Sequence, residues 1–276
     1  MNVSEITSRK NQAVLDAAAL STDKKYRDRY GLFPAEGAKL LGEALDAGLR
    51  VKSVFFTHAA SERYGELLSR VQNAALYRVT DEVFAKLSTE SAPQGIYTCL
   101  EKPPFGVLSD EEIAHGGFVI LDALQNPSNI GAVLRSAYAL GAAQVLISPG
   151  CADLYAPKTV RAAMGSLFRI TPYFTEDLPE TLRRFASVGI RVFCTRLDKN
   201  SRQLGTVAFR ESDCFVVGNE GHGASPAVAD ACPHCLYIPM QPGAESLNAA
   251  AAAALVMWEM KKNTLLTPTT SDPESR

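Results

Sequence analysis

The segment YIPMQPGAESLNAAAAAALVMWEM runs from Tyr237 to Met260 and joins three patterns. A short apolar stretch typical of a strand leads into a polar loop of Gln, Pro, Gly and Glu. Ser246, Leu247 and Asn248 then open a helix that begins with six alanines, Ala249–Ala254. Alanine has a high helix propensity, and its small side chain lets a helix lie close to a neighbouring backbone. The segment therefore predicts a closely packed C-terminal helix, in more crowded surroundings than a simple doubly wound sheet provides.

The composition is that of a folded protein with room for two domains. The chain has 276 residues, of which 46% are apolar and 21% are charged, as is usual for globular domains. A formal net charge of −2 excludes a basic field over the whole molecule but leaves room for a local basic groove. No apolar stretch is long enough to span a bilayer, and the opening MNVSEITSRKNQ lacks the apolar part of a signal peptide. We therefore expect a cytoplasmic protein with no membrane partner.

The alternation of helical and strand patterns predicts two domains. Helices over 11–20, 35–47, 61–73 and 81–87 alternate with strands over 51–57, 75–79 and 95–100, which indicates a small α/β domain in residues 1–104. The segment 101–106 contains two prolines and a glycine, and we expect residues 105–116 to be a linker. Later strands such as FVILDAL (118–124) and CFVVGN (214–219) are continuous apolar runs, as in a buried parallel sheet. The second domain is predicted to cover 117–262, followed by a disordered tail over 263–276.

Six cysteines are scattered along the chain, and in a cytoplasmic protein they are expected to be buried apolar residues. The one pattern that suggests a metal is Cys232-Pro-His-Cys235. A structural zinc site needs four ligands, usually from two such pairs, and the chain has no second pair. We therefore expect no metal site, while a role for Cys232 and Cys235 stays open.

Two more turns at strand ends carry unusual numbers of Gly, Asn and Glu. In LQNPSNIGAVLRSAYALGA (124–142), Asn129 is suited to cap a helix, and Gly131 and Arg135 share a face on which Gly131 leaves the surface bare. In FVVGNEGHGAS (215–225), three glycines permit positive φ and let a ligand approach the backbone. Each turn alone is equally consistent with an ordinary surface. Ligands of open α/β sheets nevertheless collect at the carboxyl ends of strands, so these turns are candidates for one site.

Together, the three turns resemble the three motifs of a known enzyme family. The patterns NxxGxxxR at Asn129–Arg135, GNEGHG at Gly218–Gly223 and IPM…ESLNAAAAAAL at Ile238–Leu255 occur in the order and at the separations of the SpoU (TrmH) RNA ribose 2′-O-methyltransferases, members of the SPOUT superfamily. The resemblance covers Gly117 to about Lys262. In the first domain, FPAEGAKLLGEAL and SAPQGIYTCLEKP are similar to the small substrate-binding domain that precedes the catalytic domain in many of these enzymes.

The resemblance implies a fold that periodicity alone does not predict. It implies an α/β protein in which a knotted (deep trefoil) parallel-sheet methyltransferase domain follows a small α/β RNA-binding domain. The alanine helix would then pack against other helices just beyond the knot, and the knotted domain would form a homodimer. Deep knots are exceptions to the usual rules of chain connectivity.

The resemblance also implies the cofactor, S-adenosylmethionine, and the roles of particular residues. Gly218, Ile238 and Leu247 are expected to line the cofactor pocket, with Met240, Ser246 and Asn248 adjacent. Arg135 matches the catalytic arginine of the family. Because a guanidinium is a poor base, we expect it to stabilise a developing alkoxide or orient a phosphate, with Asn129 and Glu220 fixing its position.

The expected partner is RNA, contacted through local basic residues. Ribosomal RNA is favoured over transfer RNA because the first domain is similar to those of rRNA-modifying members. The candidate phosphate contacts are Arg9, Lys10, Lys24, Lys25, Arg27, Lys158, Arg161 and Arg169.

Three other functions are compatible with the sequence. The same chemistry could act on tRNA, or the protein could bind RNA or assist assembly without catalysis. A methyltransferase acting on a base or a small molecule is the third, although the NxxGxxxR helix does not favour it.

Overall fold

A computed structural model describes residues 3–196 and 201–266. The strands are β1 Val3–Ile6, β2 Leu32–Glu36, β3 Val51–Phe56, β4 Ala75–Val79, β5 Ile96–Glu101, β6 Val119–Leu121, β7 Gln144–Ile147, β8 Thr171–Phe174, β9 Val192–Thr195, β10 Arg202–Gln203, β11 Cys214–Val217 and β12 His234–Tyr237. The helices are α1 Gln12–Thr22, α2 Lys24–Tyr30, α3 Ala38–Asp46, α4 His58–Arg63, α5 Gly65–Ser69, α6 Asp81–Leu87, α7 Asp110–His115, α8 Pro127–Ala139, α9 Pro157–Ala163, α10 Leu178–Ser187, α11 Pro226–Ala231 and α12 Ala249–Leu266, with a 3-10 helix at Ser166–Arg169.

These elements form two compact units. The first contains the chain up to Pro104 together with Pro127–Arg135 and Ala152–Arg169. The second contains Phe105–Asn126, Ser136–Cys151 and the described residues from Ile170 onward. Two segments of the predicted catalytic domain over 117–262, Pro127–Arg135 and Ala152–Arg169, thus belong to the first compact unit.

The first unit is built on a five-stranded sheet in the order β1-β4-β3-β5-β2. β1, β4 and β3 pair in parallel, whereas β5 is antiparallel to both β3 and β2. The segment after Ala152 joins this unit through aromatic packing, because the ring of Phe33 lies 4.9 Å from that of Tyr155 and 6.0 Å from that of Phe168, centroid to centroid. Phe33 is fully buried, so this packing explains why a segment beyond residue 117 belongs here.

The second unit is built on a seven-stranded sheet in the order β10-β12-β9-β11-β6-β7-β8. Every described pairing in it is parallel. The strands β6 and β11 are buried along their whole length, which confirms the parallel sheet predicted from their apolar runs. Phe118 lies in the core beside β6. The centroid of its ring is 5.4 Å from that of Phe185 and 5.2 Å from that of Tyr173.

Two predicted boundaries are wrong. The stretch 105–116 is not a linker, because it forms α7 and buries Ile113 completely in the core of the second unit. The predicted tail begins too early, since α12 continues to Leu266, where Lys261 and Thr264 each form a 3.2 Å hydrogen bond to Glu211. Residues 267–276 of that tail lie outside the described residues. Among the residues described, no helix combines the length and apolar character needed to cross a membrane.

Gly131 is buried on α8 and does not leave a bare surface, which corrects the sequence-based interpretation. A Cβ atom at this position would lie 2.5 Å from the Cβ of Ala162 and 2.6 Å from the carbonyl oxygen of Thr159. The missing side chain therefore allows α8 and α9 to pack backbone against backbone within the first unit.

We predict that Gly131→Ala destabilises the protein by about 1–3 kcal/mol, because the added methyl group must displace the backbone of α9. Chemical denaturation gives the free energy of unfolding. Gly42→Ala is the matched control, since Gly42 also lies within a helix and its added Cβ would meet only Leu67 Cδ1, at 3.8 Å. The control should be neutral or stabilising, as alanine favours a helix over glycine. Equal stability of the two variants would contradict the close packing.

Candidate functional site

Four adjacent strands of the second unit end at one cleft. The residues at or directly after the ends of β6, β9, β11 and β12 line a cavity of about 960 Å³, and they include Asp122, Ala123, Thr195, Arg196, Gly218 and Ile238. Because these strands are neighbours and parallel, their carboxyl ends share one edge of the sheet. The volume is in the range of small-molecule sites.

The turn after β11 is shaped by Gly218. A Cβ at Gly218 would lie 2.2 Å from the backbone nitrogen of Ala224 and 2.2 Å from the carbonyl carbon of Gly223. The turn doubles back through two reciprocal backbone hydrogen bonds between Asn219 and Gly223, each 2.9 Å long. Glycine is thus needed at position 218 because a side chain would not fit there. Gly223, in contrast, adopts a positive φ of +70°.

The turn after β6 is strained and held by its neighbours. Ala123 adopts φ +48°, a left-handed conformation that costs free energy for a residue with a Cβ. The backbone N–H of Ala123 donates to the Ser148 hydroxyl at 3.0 Å, and its carbonyl accepts from Asn219 Nδ2 at 2.9 Å. Strain that is fixed by specific hydrogen bonds is a feature of binding sites.

Asp122 is a site residue that the sequence analysis did not single out. Its side chain is buried, and its carboxylate accepts from the backbone N–H of Ser225 at 2.8 Å, which ties the ends of β6 and β11 together. A signal was present in the sequence. The apolar run FVIL ends at this aspartate, and a carboxylate at the carboxyl end of a buried strand is a typical site position.

Glu220 lines the cleft and also fixes the loop that leads into α8. Its carboxylate accepts from the backbone N–H groups of Gln125 at 3.1 Å and Asn126 at 2.9 Å. Asn129 and Arg135 lie on α8 itself, where Asn129 is buried and Arg135 is exposed. Both belong to the first-unit part of α8, whereas the lining of the cleft comes from the second unit.

The loop before α12 contributes most of the residues predicted to hold a cofactor. Ile238, Met240, Ser246 and Leu247 line the same cleft as Gly218. Asn248 is not part of the lining, and its side chain instead accepts from the backbone N–H groups of Ala250 at 2.9 Å and Ala251 at 3.3 Å. It caps the helix in the manner typical of asparagine.

The alanines serve the cleft as well as the core. Ala249, Ala252 and Ala253 line the cavity, so their small side chains keep it open. Ala250 and Ala253 are buried, while Ala251 is exposed on the opposite side. In the described chain the helix is therefore closely packed on one side, whereas the side that carries Ala251 is exposed.

The cleft carries several carboxylates on a wall of apolar and polar residues. Asp122, Glu220 and Glu245 line it beside apolar residues such as Val217 and Leu236. The one arginine in its lining, Arg196, has a carboxylate, that of Asp230, at 3.9 Å. This combination suits a ligand with apolar parts and a positive charge.

The structure separates the predicted RNA contacts into two groups. The prediction that Arg27 contacts RNA is wrong, because Arg27 is buried. Its guanidinium pairs with Asp153 at 2.8 Å and donates to the Leu20 carbonyl. Ion pairs also hold three of the other predicted cations, which are Lys24 with Asp28, Arg161 with Glu90, and Arg169 with Glu43. The remaining four, all exposed, are Arg9, Lys10, Lys25 and Lys158.

Cys194, Cys232 and Cys235 lie together beside the cleft but are poor ligands. Cys194 and Cys235 are free thiols with their sulfur atoms 3.8 Å apart. A hydrogen bond with Cys232 and burial raise the pKa of the Cys194 thiol well above its usual range, which disfavours the thiolate that a metal requires. Within the described ranges, no group of three or more His, Cys, Asp and Glu residues is arranged to hold a metal ion.

Comparison with known proteins extends over both units. The profile of the SpoU rRNA Methylase family matches residues 117–258, and that of the MRM3-like substrate binding domain matches residues 11–98. The chain is 33% identical to the 23S rRNA (guanosine(2553)-2′-O)-methyltransferase RlmP of Bacillus subtilis (strain 168), over 93% of this chain and 99% of that protein. It is 28% identical to the 23S rRNA (uridine(2479)-2′-O)-methyltransferase of Streptomyces viridochromogenes, over 97% of this chain and 95% of that protein.

Solved structures give the same result. The AdoMet-bound rRNA methyltransferase from Sinorhizobium meliloti superimposes with a TM-score of 0.83 at 27% identity, over 95% of this chain and 98% of that chain. The SpoU methyltransferase AviRb from Streptomyces viridochromogenes, in complex with AdoMet, superimposes with a TM-score of 0.80 at 26% identity, over 94% of this chain and 100% of that chain. The family resemblance seen in the three motifs is thereby confirmed, and the chain belongs to the SpoU rRNA methylase family.

Proposed function

We propose that this protein transfers a methyl group from S-adenosylmethionine to the 2′-hydroxyl of a ribose in ribosomal RNA. The observation that carries this proposal is the single cleft at the ends of β6, β9, β11 and β12. Five residues that the family motifs assign to the cofactor line it, together with Glu220. Relatives that align over nearly their whole length are named as 23S rRNA 2′-O-methyltransferases.

The residues of the cleft fit S-adenosylmethionine. Gly218 lets the turn after β11 fold back on itself, since a Cβ atom there would collide with the backbone of Gly223 and Ala224, and this turn lines the cleft. Buried Asp122 and the carboxylates of Glu220 and Glu245 suit a positively charged sulfonium. When bound, the cofactor supplies an electrophilic methyl group that needs no metal for activation.

In this proposal Arg135 acts on the ribose oxygen by charge and not as a base. A ribose hydroxyl is a weak nucleophile, so its developing negative charge must be stabilised as its proton passes to solvent water. The oxygen then forms the bond to the methyl carbon, the bond from sulfur to that carbon breaks, and S-adenosylhomocysteine leaves as a neutral thioether. A guanidinium remains protonated under physiological conditions and can donate two parallel hydrogen bonds to an alkoxide or a phosphate. Arg135 is exposed, and no carboxylate pairs with it in the described part of the chain, so its charge is available for RNA.

Glu220 and Asn129 are assigned positioning roles. Glu220 holds the two amides that directly precede α8, so it fixes the loop that leads into the helix carrying Arg135. Asn129 is buried within the first turn of that helix. Neither residue needs to exchange a proton with the substrate for this role.

We further propose that the second unit contains the deep trefoil knot of its family. Two features support it. The late strand β12 lies inside the sheet between β9 and β10, and the chain then returns as α12 to pack against β11. Mechanical extension of the chain by its ends would test the proposal, because a tightened knot shortens the extended length.

A homodimer through the second unit is also proposed. On α12, Ala251, Leu255 and Trp258 follow the i, i+4, i+7 spacing of one helix face. This apolar face is exposed, and the exposed fraction of Trp258 is 43%.

The first unit is assigned to RNA binding. A cytoplasmic location is inferred because none of the six cysteines forms a disulfide. Cell fractionation would check the location.

The proposed function predicts labelled methyl transfer to ribose. Purified protein, S-adenosylmethionine labelled in the methyl group and unmethylated 23S rRNA should yield label that survives base removal and is released as a 2′-O-methylated nucleoside after nuclease digestion. Label on a base would contradict the proposal, and so would incorporation into tRNA but not rRNA.

Arg135→Ala should lower kcat in this assay by about 10²–10³-fold, the cost of removing one group that stabilises a developing oxyanion. Arg135→Lys should recover only a small part of this loss, because an ammonium group keeps the charge without the planar fork. Cofactor affinity, measured by calorimetry, should stay unchanged in both. Full turnover by the lysine variant would rule out the need for a guanidinium.

The dimer proposal predicts that Trp258→Glu shifts the sedimentation coefficient from that of a dimer to that of a monomer, since it places a charge in an apolar interface. Val188→Glu is the control, because Val188 is a similarly exposed apolar residue of the same unit, at 46%, and lies at the end of α10. A wild-type protein that sediments as a monomer would contradict the proposal.

A further inference from the structure

Helix α2 of the first unit carries two neighbouring tyrosines. Tyr26 is held by the core of the unit, whereas Tyr30 is exposed. The rings of Tyr26 and Tyr30 lie 4.4 Å apart, centroid to centroid. Tyr26 packs against the core of this unit, and its hydroxyl donates to Asp16 at 2.8 Å. Tyr30 is 50% exposed. The pair is therefore a supported platform whose outer ring faces solvent.

A guanidinium extends this platform. The central carbon of Arg29 lies 5.4 Å from the centroid of the Tyr30 ring, within the range of a cation–π contact. The guanidinium lies over the ring, so its outer side presents a flat, charged surface supported by Tyr30, and nucleobases stack on guanidinium planes as well as on aromatic rings.

The charges around α2 leave two cations available. Arg27 is buried and paired with Asp153, while Asp28 accepts from both Lys24 and Lys102 at 2.7 Å. Asp23 caps α2 by accepting from the backbone N–H groups of its first residues. For the residues described here, no carboxylate pairs with Lys25 or Arg29.

Lys25 and Arg29 are four residues apart, so they share one face of the helix. Tyr30 follows Arg29 directly and is in contact with it. An exposed ring and two unpaired cations thus lie side by side on one short helix.

We propose that Tyr30, Arg29 and Lys25 form a docking surface for an unpaired nucleotide of the substrate RNA. This inference rests on the proposed function. The base stacks on the guanidinium of Arg29, which the Tyr30 ring supports, and a flanking phosphate contacts Lys25. Base–aromatic stacking next to cations is the usual means of holding single-stranded nucleic acid without reading its sequence. An acidic peptide would use the two cations but would have no use for the supported, exposed ring.

The test measures binding of a fluorescein-labelled oligouridylate of about 12 nucleotides by fluorescence anisotropy. Tyr30→Ala should weaken binding about tenfold, as expected for the loss of one stacked base, whereas Tyr30→Phe should bind like the wild type because it keeps the ring. Lys25→Ala should weaken binding and reduce the slope of log affinity against log salt by about 1. Melting temperature and cofactor affinity should not change.

Tyr64→Ala is the matched control, because Arg63 lies over Tyr64 at 5.3 Å in the same unit but Tyr64 is only partly exposed. It should bind oligouridylate like the wild type. Wild-type affinity of Tyr30→Ala would overturn the proposal, as would a Tyr30→Phe variant as weak as Tyr30→Ala. Competition by polyglutamate as effective as that by unlabelled oligouridylate would also overturn it, in favour of an acidic protein partner.

Methyl transfer to rRNA separates this inference from the function on which it rests. Tyr30→Ala should raise KM for RNA while kcat is retained. If the wild type methylates rRNA and Tyr30→Ala has the same KM, only the docking surface is refuted. If the wild type transfers no methyl group but the oligouridylate results hold, the proposed function fails and the surface remains.

Discussion

The parallel pairing of β12, β9, β11 and β6 is the constraint on which the site depends. Because these strands run in one direction, the turns that follow them meet at the same edge of the sheet. Contacts between turns then fix the arrangement. Asp122 holds the amide of Ser225, and Asn219 holds the carbonyl of Ala123. Glu220 extends this network to the start of α8. Residues far apart in sequence thus become parts of one rigid wall, as catalysis by positioning requires.

Residues with little or no side chain are essential to the packing within each unit. Gly218 is needed because the turn returns within 2.2 Å of where its Cβ would be, and Gly131 is needed because α9 lies against α8. The alanines of α12 divide between the wall of the cleft, the core and an exposed face. That exposed face continues through Leu255 and Trp258, which is why we assign it to a second copy of the chain. One helix can line a cleft, pack in the core and expose a face because the small side chain of alanine is tolerated in each environment without a large loss of stability.

The sequence predicts the second unit well and the first unit less well, for physical reasons. Buried parallel strands such as β6 and β11 are continuous apolar runs, so they are recognisable without a structure. The motif residues Gly218, Ile238, Met240, Ser246 and Leu247 likewise proved to share one cleft. By contrast, β2 was not predicted as a strand, and the helix predicted over 35–47 overlaps its last two residues; the strand also contains Pro34. Proline is accepted there because β2 is an edge strand. Arg27 looked like a phosphate contact, because composition cannot reveal a carboxylate partner at Asp153. The left-handed Ala123 is likewise set by tertiary contacts alone.

The central claim is that three turns distant in sequence converge on one cofactor. Amide hydrogen–deuterium exchange with and without S-adenosylmethionine tests it most directly, since a bound ligand slows exchange where it restricts the backbone. The account predicts that the cofactor protects segments 122–126, 218–225 and 238–248 together, at the same cofactor concentration. Protection confined to one of these segments, or found mainly in the first unit, would contradict it.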